Sequence, residues 1–330
     1  MSRISEATAI AHPNIALAKY WGKKPIPGNY PAVPSLSVTL DGMMTRTVVR
    51  FDSSLEVDRV VLNGTEAAQS DRAHLRVVEL LDRVRALAGD TRRAFVQSAN
   101  DFPTASGLAS SASGFAALAL AAVRAIPGLD ASLEQVSDLA RQSSASAARS
   151  LFDGFVELEP ERPARSIAPP EHIDLHILVC VVTEEKKSIG STSGMQTTAL
   201  LSPYFDSWLS TAPVIFSSMK EALAARDWEA LGELSEKSAL AMHACAMAGG
   251  IVYVRGISLD LFAAVRGLRA SGILAYFTAD AGPHVKVLVR DGDVARATDV
   301  LSKVPGVLRV LDTRPGKGAT VIASSPEATT

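Results

Sequence analysis

Two apolar periods alternate along the chain. Thr45-Arg-Thr-Val-Val-Arg-Phe51 and Val57-Asp-Arg-Val-Val-Leu62 are short and rich in β-branched residues, which predicts strands. Asn63-Gly64 follows the second, a tight-turn signal because both residues tolerate positive φ. Over residues 72–88, Ala73, Val77, Leu80, Leu81, Val84 and Leu87 share one helical face, and Gly89 predicts the stop. Residues 111–126 are apolar nearly throughout and are closed by Pro127-Gly128. A helix apolar on every side has to be buried. Ser132-Leu-Glu-Gln135 has the pattern of a capping box, predicting a helix that runs toward Ala148.

Residues 175–183 predict a buried strand, followed by a polar segment, 184–198, and several helices. The end of the chain has a β-α-β pattern: strands at 273–278 and 285–290, a helix over about 294–304, and a strand at 307–311. Strands and helices alternate in both halves, so the expected class is α/β (α+β). The change near Thr183 predicts two lobes, 1–183 and 184–330. The tail after Ser324 is small and polar and is expected to fray.

Composition narrows the function classes. The apolar fraction is 47% and the charged fraction 21%, which places the chain among globular proteins with a real core. A formal net charge of -2 supplies no global field for nucleic acid, so any anion site must be local. The two cysteines, Cys180 and Cys245, sit in apolar stretches without zinc spacing and predict inert buried thiols. No run approaches the roughly 20 apolar residues of a membrane span, and residues 1–9 lack a secretory pattern. The expected compartment is the cytoplasm, with neither membrane nor nucleic acid as a partner.

Four segments carry candidate chemistry. Pro103-Thr-Ala-Ser-Gly-Leu-Ala-Ser-Ser-Ala112 leads into the apolar helix. Gly107 allows close backbone approach, the helix N-terminus favours phosphate, and Ser106, Ser110 and Ser111 add hydroxyls; a Ser-rich helix cap would read the same way. No Walker A pattern and no G-x-G-x-x-G behind a strand occurs, so a nucleotide would have to use this loop. His12-Pro-Asn-Ile-Ala-Leu-Ala-Lys-Tyr-Trp-Gly-Lys-Lys24, continuing to Asn29-Tyr-Pro and Ser35-Leu-Ser-Val-Thr39, gathers Lys19, Lys23 and Lys24 beside Tyr20 and Trp21. That suits an anion pocket or, alternatively, a solvated basic turn. Arg141-Gln-Ser-Ser-Ala-Ser-Ala-Ala-Arg-Ser150 is expected as a helix offering Ser144, Ser146 and Arg149, whose guanidinium suits bidentate carboxylate or phosphate; an exposed polar helix is the alternative. Ala275-Tyr-Phe-Thr-Ala-Asp-Ala-Gly-Pro283 projects Asp280 from the end of an apolar strand, into a cleft or simply into a turn.

Together the four segments resemble the GHMP kinase superfamily, and within it the diphosphomevalonate decarboxylase branch. The superfamily is marked by P-x-x-x-G-L-x-S-S-A at Pro103–Ala112. The branch is marked by Asn14-Ile-Ala with Lys19-Tyr-Trp-Gly-Lys23, by Ser146 to Arg149 before Ser150-Leu-Phe, by Lys186-Lys187 with Ser191-Thr-Ser-Gly-Met-Gln196, and by Asp280-Ala-Gly-Pro283. The resemblance implies a GHMP kinase fold: a ribosomal-protein-S5-domain-2-like N-terminal lobe, a ferredoxin-like C-terminal lobe, a site in the cleft between them, and a homodimer.

It also implies a reaction. ATP with Mg2+ phosphorylates the tertiary 3-hydroxyl of a phosphorylated mevalonate; phosphate leaves, and loss of carbon dioxide makes the alkene of isopentenyl diphosphate. By resemblance Asp280, Lys19 and Arg149 are catalytic. Asp280 stands by the 3-hydroxyl, Lys19 stabilises charge or tunes Asp280, and Arg149 holds the carboxylate with Asn14. Tyr20, Lys23, Ser144, Ala145, Ser146 and Met195 fall on the substrate side. Ser106, Gly107, Leu108, Ala109, Ser110 and Ser111 cradle ATP, Ser111 is the magnesium candidate, and Lys187 closes over the phosphates. The chain departs from the branch at Ser143 and Ala145, where glycines are usual, and at Asp153 and His284. Ala145 threatens to crowd the diphosphate, and Asp153 to repel it. Rival readings are a mevalonate 5-phosphate decarboxylase, a mevalonate 3-kinase, and a non-catalytic ligand sensor on the same fold.

Overall fold

The computed structural model describes residues 4–102, 110–185 and 188–322. The chain begins β1 (Ile4–Ala11), β2 (Asn14–Ala18), β3 (Ser35–Thr39), β4 (Thr45–Asp52), β5 (Arg59–Leu62) and β6 (Thr65–Glu66). Then come α1 (Arg72–Ala88), β7 (Arg93–Asn100), α2 (Ser110–Ala125), α3 (Leu133–Ser143), a 3-10 turn (Ala145–Leu151), β8 (Phe155–Leu158), β9 (Arg165–Ala168) and β10 (His176–Val181). Four helices follow, α4 (Ser191–Leu201), α5 (Phe205–Ala224), α6 (Trp228–Ala248) and α7 (Gly256–Ala270). The chain closes with β11 (Tyr276–Ala279), β12 (Val285–Val289), α8 (Val294–Ser302), β13 (Arg309–Thr313) and β14 (Thr320–Ile322).

The strands form three sheets, ordered β14-β1-β4-β7-β5-β6, β2-β3-β8-β9 and β11-β12-β10-β13. The first carries α2 across β1 and β4, and its core gathers Val49, Phe51, Leu80, Leu81, Val84 and Val96 with the alanines of α2. The third is antiparallel throughout. α7 and α8 share one core with it, built on Leu178, Phe262, Phe277 and Val287. The core that matters for the site joins the second sheet to the third: Leu17, Leu36 and Val38 cluster with Ile215 and Phe216 of α5 and with Ile177, Tyr276 and Leu288. That shared core holds the ends of β2 and β11 side by side. The architecture is mixed α/β, the class that the alternating pattern predicts.

Local chemistry explains the elements that the pattern predicts. Asn63 and Gly64 both have positive φ, 48° and 82°, as the two-residue turn between β5 and β6 requires. Gly89 caps α1 at φ 61°, and Ser132 and Gln135 close both halves of a capping box on α3.

Two features differ from the expectation, and a third has no counterpart in it. α3 stops at Ser143 instead of running toward Ala148; Ser144 is extended at φ -156°, and the chain resumes as a 3-10 turn. Arg76 of α1 donates to the Ser143 carbonyl at 2.7 Å, and Arg83 reaches its hydroxyl at 3.2 Å. Those donors satisfy a helix end from outside, so continuing the helix gains nothing there. Second, α4 begins inside the segment expected to be merely polar. Third, β2 and β3 are strands with every residue buried, although Ala, Ser and Asn are poor strand formers. Pairing to neighbours on both sides of β3 overrides propensity there. The polar tail after Ser324 lies outside the described residues.

Candidate active site

The centre is Asp280. β11 is buried throughout and ends one residue before it, so the strand delivers the carboxylate to the sheet edge. The Gly282 N–H closes back on the Asp280 carbonyl at 2.7 Å, which fixes the turn. The Asp280 side chain keeps 29% exposure, whereas the Lys19 side chain beside it keeps 1%. Lys19, one residue past β2, puts Nζ 2.7 Å from Asp280 Oδ1 and also donates to the Ala16 carbonyl at 2.7 Å. Lys286 of β12 puts Nζ 3.1 Å from Oδ2. Burial alone would raise the carboxyl; the two ammonium groups outweigh it and hold Asp280 well below the usual carboxylate range. Burial pulls Lys19 down to about 8, with Asp280 opposing it.

Arg149 lies on the 3-10 turn and is 2% exposed. Its Nε donates to Ser37 Oγ and its Nη1 to Ser35 Oγ, both at 2.9 Å, and its Nη2 donates to Asn14 Oδ1 at 3.3 Å. The alternation of β3 explains this reach: Ser35 and Ser37 lie two apart and face the same side. Asn14 in turn donates to the Ser146 carbonyl at 2.9 Å and to Ser150 Oγ at 2.8 Å, locking the turn against β2. No carboxylate pairs with Arg149 among the described residues. Burial lowers it to about 10, still charged at neutral pH. Three buried cations therefore face one carboxylate, an excess of positive charge that calls for an anion.

The side expected to take the phosphate tail is partly assembled. Lys23 Nζ is held by Asn29 Oδ1 at 2.7 Å and Thr192 Oγ1 at 3.0 Å. Burial lowers it, helped by Arg76 and Arg72. The Tyr20 hydroxyl is buried without a hydrogen-bond partner among the described residues, a donor left over for a ligand. Ser144 and Ser146 place their hydroxyls 3.2 Å apart at the break after α3. Ala145 is 4% exposed, and neither it nor Ser143 has positive φ, so this backbone does not need the glycines usual there. Met195 belongs to an apolar cluster with Trp21, Trp208 and Tyr253 and is 3% exposed: it backs the site as core rather than presenting a free surface. Gly194 beside it is required by packing, since a Cβ there would sit 2.1 Å from the Tyr253 hydroxyl.

The other departures have local explanations. Asp153 accepts from the Gly318 N–H at 2.7 Å, a structural use for its charge. His284 is 1% exposed and accepts from the Val182 N–H at 3.2 Å. At the nucleotide end, Ser110 and the exposed Ser111 stand on the first turn of α2. Ser106, Gly107, Leu108, Ala109 and Lys187 lie outside the described residues. Lys286 and the anchoring roles of Ser35 and Ser37 escaped sequence reasoning. The available signal for Lys286 was one lysine inside Val285-Lys-Val-Leu-Val289, a charge where both neighbours are core.

With this geometry in view, comparison with known proteins is specific. Residues 11–168 match the diphosphomevalonate decarboxylase-like N-terminal domain, and residues 177–321 match the mevalonate 5-diphosphate decarboxylase C-terminal domain. A diphosphomevalonate decarboxylase of Ganoderma lucidum is 36% identical over 91% of this chain and 82% of its own. The crystal structure of mevalonate diphosphate decarboxylase from Staphylococcus aureus superposes with a TM-score of 0.91 at 35% identity, covering 97% of this chain and 98% of that one. A complex described as MDDEF with MVAPP, AMPPCP and magnesium gives 0.89 at 36% identity, covering 97% and 100%. Sequence and structure agree over nearly the whole length, and the chain belongs to the diphosphomevalonate decarboxylase family.

Proposed function

We propose that the chain catalyses ATP-dependent decarboxylation of mevalonate 5-diphosphate to isopentenyl diphosphate, releasing ADP, phosphate and carbon dioxide. The carrying observation is the partly open Asp280 carboxylate, clasped by two buried ammonium groups and facing a buried guanidinium that lacks a carboxylate of its own. Such a site offers an acceptor for a hydroxyl and a fork for a carboxylate within one cleft.

In this reading Asp280 accepts a hydrogen bond from the substrate 3-hydroxyl and aims it. Two ammonium groups make the carboxylate a weak base, so orientation is its main contribution. The proton passes to Asp280 late, as the γ-phosphoryl group arrives at the 3-oxygen, and in a loose phosphoryl-transfer transition state a weak base suffices for that. Arg149 grips the substrate carboxylate, with Asn14 and the two serines holding the guanidinium. When the C3–O bond to the new phosphate breaks, the electron pair of the C–C bond to the carboxylate forms the alkene, and carbon dioxide leaves. Lys19 is assigned to the negative charge that builds on the departing phosphate. Tyr20, Lys23, Ser144, Ser146 and the Ala145 backbone take the diphosphate end.

Ser110 and Ser111 fit a nucleotide-phosphate role, because they stand at the dipole-positive end of a 16-residue helix. We assign Ser106 to Ala109 and Lys187 to the same phosphates, and Ser111 to magnesium, which would neutralise phosphate charge. We assign the anion pocket to a unit of two lobes, the first bearing the phosphate loop and the second supplying Asp280; β10 pairs into the second lobe's sheet, which moves the division from Thr183 to before His176, and β14 returns to pair with β1 of the first. The working unit is taken as a cytoplasmic homodimer, which sedimentation of the purified protein checks.

The test is a product assay with Mg-ATP and each of mevalonate, its 5-phosphate and its 5-diphosphate. Carbon dioxide released in step with ADP from the 5-diphosphate is the expected result. ADP without carbon dioxide would make the protein a 3-kinase. Carbon dioxide chiefly from the 5-phosphate would move the substrate assignment and leave the chemistry standing.

A further inference from the structure

Lys286 is a charged residue in a strand that is otherwise apolar. All five residues of β12 are buried, and the other four are Val285, Val287, Leu288 and Val289. Burying an ammonium group costs solvation that a valine or methionine would not, so packing alone gives no reason for it. Its one ion pair among the described residues is with Asp280, at Oδ2, while Lys19 holds Oδ1. A carboxylate bound at one oxygen still rotates about its last bond. Bound at both oxygens by groups from two different sheets, it has a fixed plane, while the side chain keeps 29% exposure through which a ligand can meet it.

We propose that Lys286 is the positioning residue of the catalytic carboxylate: with Lys19 it forms a two-sided clamp that sets the plane in which Asp280 meets the substrate hydroxyl. The inference rests on the proposed decarboxylase reading of this site. The clamp also keeps the carboxylate anionic, and the charged surroundings from each packed element agree. Lys19 approaches from the end of β2, Lys286 from β12 and Arg149 from the 3-10 turn. His243 of α6 and His284 of the β11–β12 turn are buried, and burial holds both well below an ordinary histidine.

The experiment compares the full-length parent with Lys286→Met and Lys286→Gln; the glutamine keeps a hydrogen-bond donor should the methionine variant fail to fold. Three quantities are read: kcat and KM for carbon dioxide release, the pH profile of kcat, and the titration of the Asp280 carboxyl carbon. The last is followed by NMR of 13C-aspartate protein, the signal being assigned as the one lost in Asp280→Asn. Loss of one of two adjacent cations should raise the Asp280 titration, and the acid limb of kcat with it, by about 1–3 pH units. kcat should fall at least about tenfold, with KM for the diphosphate nearly unchanged. A folded variant with the parent's kcat, acid limb and carboxyl titration overturns the clamp. So does activity lost only in proportion to folded protein while the titration stays put. A parent that releases no carbon dioxide defeats the functional reading instead, and the carboxyl titration still decides whether the clamp exists.

Discussion

Asp280 carries the strongest expectation at the scale of single residues. Asp280→Asn keeps size and removes charge, and turnover per folded molecule should drop by roughly a hundredfold or more, the cost of a misaimed hydroxyl together with a lost proton acceptor. The structure adds a cost that the sequence did not suggest. Without the carboxylate, Lys19 and Lys286 face each other unpaired, so the variant should also lose stability. The loss should be ~1–3 kcal/mol, below the ~3–5 kcal/mol of a fully buried pair because the carboxylate faces the cleft. Denaturant titration beside a turnover assay separates the two effects. Near-normal turnover of the folded variant would demote Asp280 to a turn residue. Arg149→Lys should be far from conservative, since lysine cannot reach Ser35, Ser37 and Asn14 while offering a fork. kcat/KM should fall at least about tenfold, and a steep fall in melting temperature with unchanged turnover per folded molecule would make the arginine purely structural. Asp280, Lys19 and Arg149 stood out through the family resemblance of the segments that carry them; read alone, each segment left a turn or a solvated surface open, and it is the fold that brings Lys19 to Asp280. Lys286 did not, because its partner lies on another strand and only the fold joins them.

At the scale of elements, the break after α3 decides how the phosphate tail is met. The pattern around Ser144 looks helical in sequence, and what overturns it is long-range: two arginines of α1 that no local window contains. The same holds for β2 and β3, whose burial comes from pairing and not from propensity. By contrast α1, α2, the β5–β6 turn and the α3 cap were legible, since their signals are local. The fear that Ala145 crowds the diphosphate loses force, because its backbone is ordinary and its methyl is buried in protein. Ala145→Gly should therefore cost roughly 0.5–1 kcal/mol of stability through added backbone freedom, without raising the diphosphate's share of turnover. Preference for the 5-diphosphate over the 5-phosphate should be roughly a hundredfold in kcat/KM, as expected of two added charge-assisted hydrogen bonds. Lys23→Met should erode that ratio. A ratio at or below one in the parent would end the assignment of this end to a diphosphate.

At the scale of the whole molecule, burial ties stability to pH through two histidines, which nearby lysines hold lower still. His243 and His284 are 4% and 1% exposed, and burial, reinforced by nearby lysines, lowers them to about 4 and about 3. In the unfolded chain both return to about 6.5. Between those values the unfolded state binds protons that the folded state refuses, so stability rises with pH across the window and falls as pH drops below about 6.5. Each histidine should remove about 1.4 kcal/mol per pH unit inside its window, until its folded value is reached. Asp280, whose folded value is depressed, acts in the same direction but only below the ordinary carboxylate range, so pH 6.5 to about 4.5 isolates the histidines. His284→Gln keeps an acceptor for the Val182 N–H and deletes the titration. Its unfolding free energy, measured by denaturant at several pH values, should lose less between pH 6.5 and 4.5 than the parent's does, by about 2–3 kcal/mol. Parallel curves for the two proteins would mean that His284 takes up its proton in the folded state, so that neither its burial nor the nearby Lys286 holds it down.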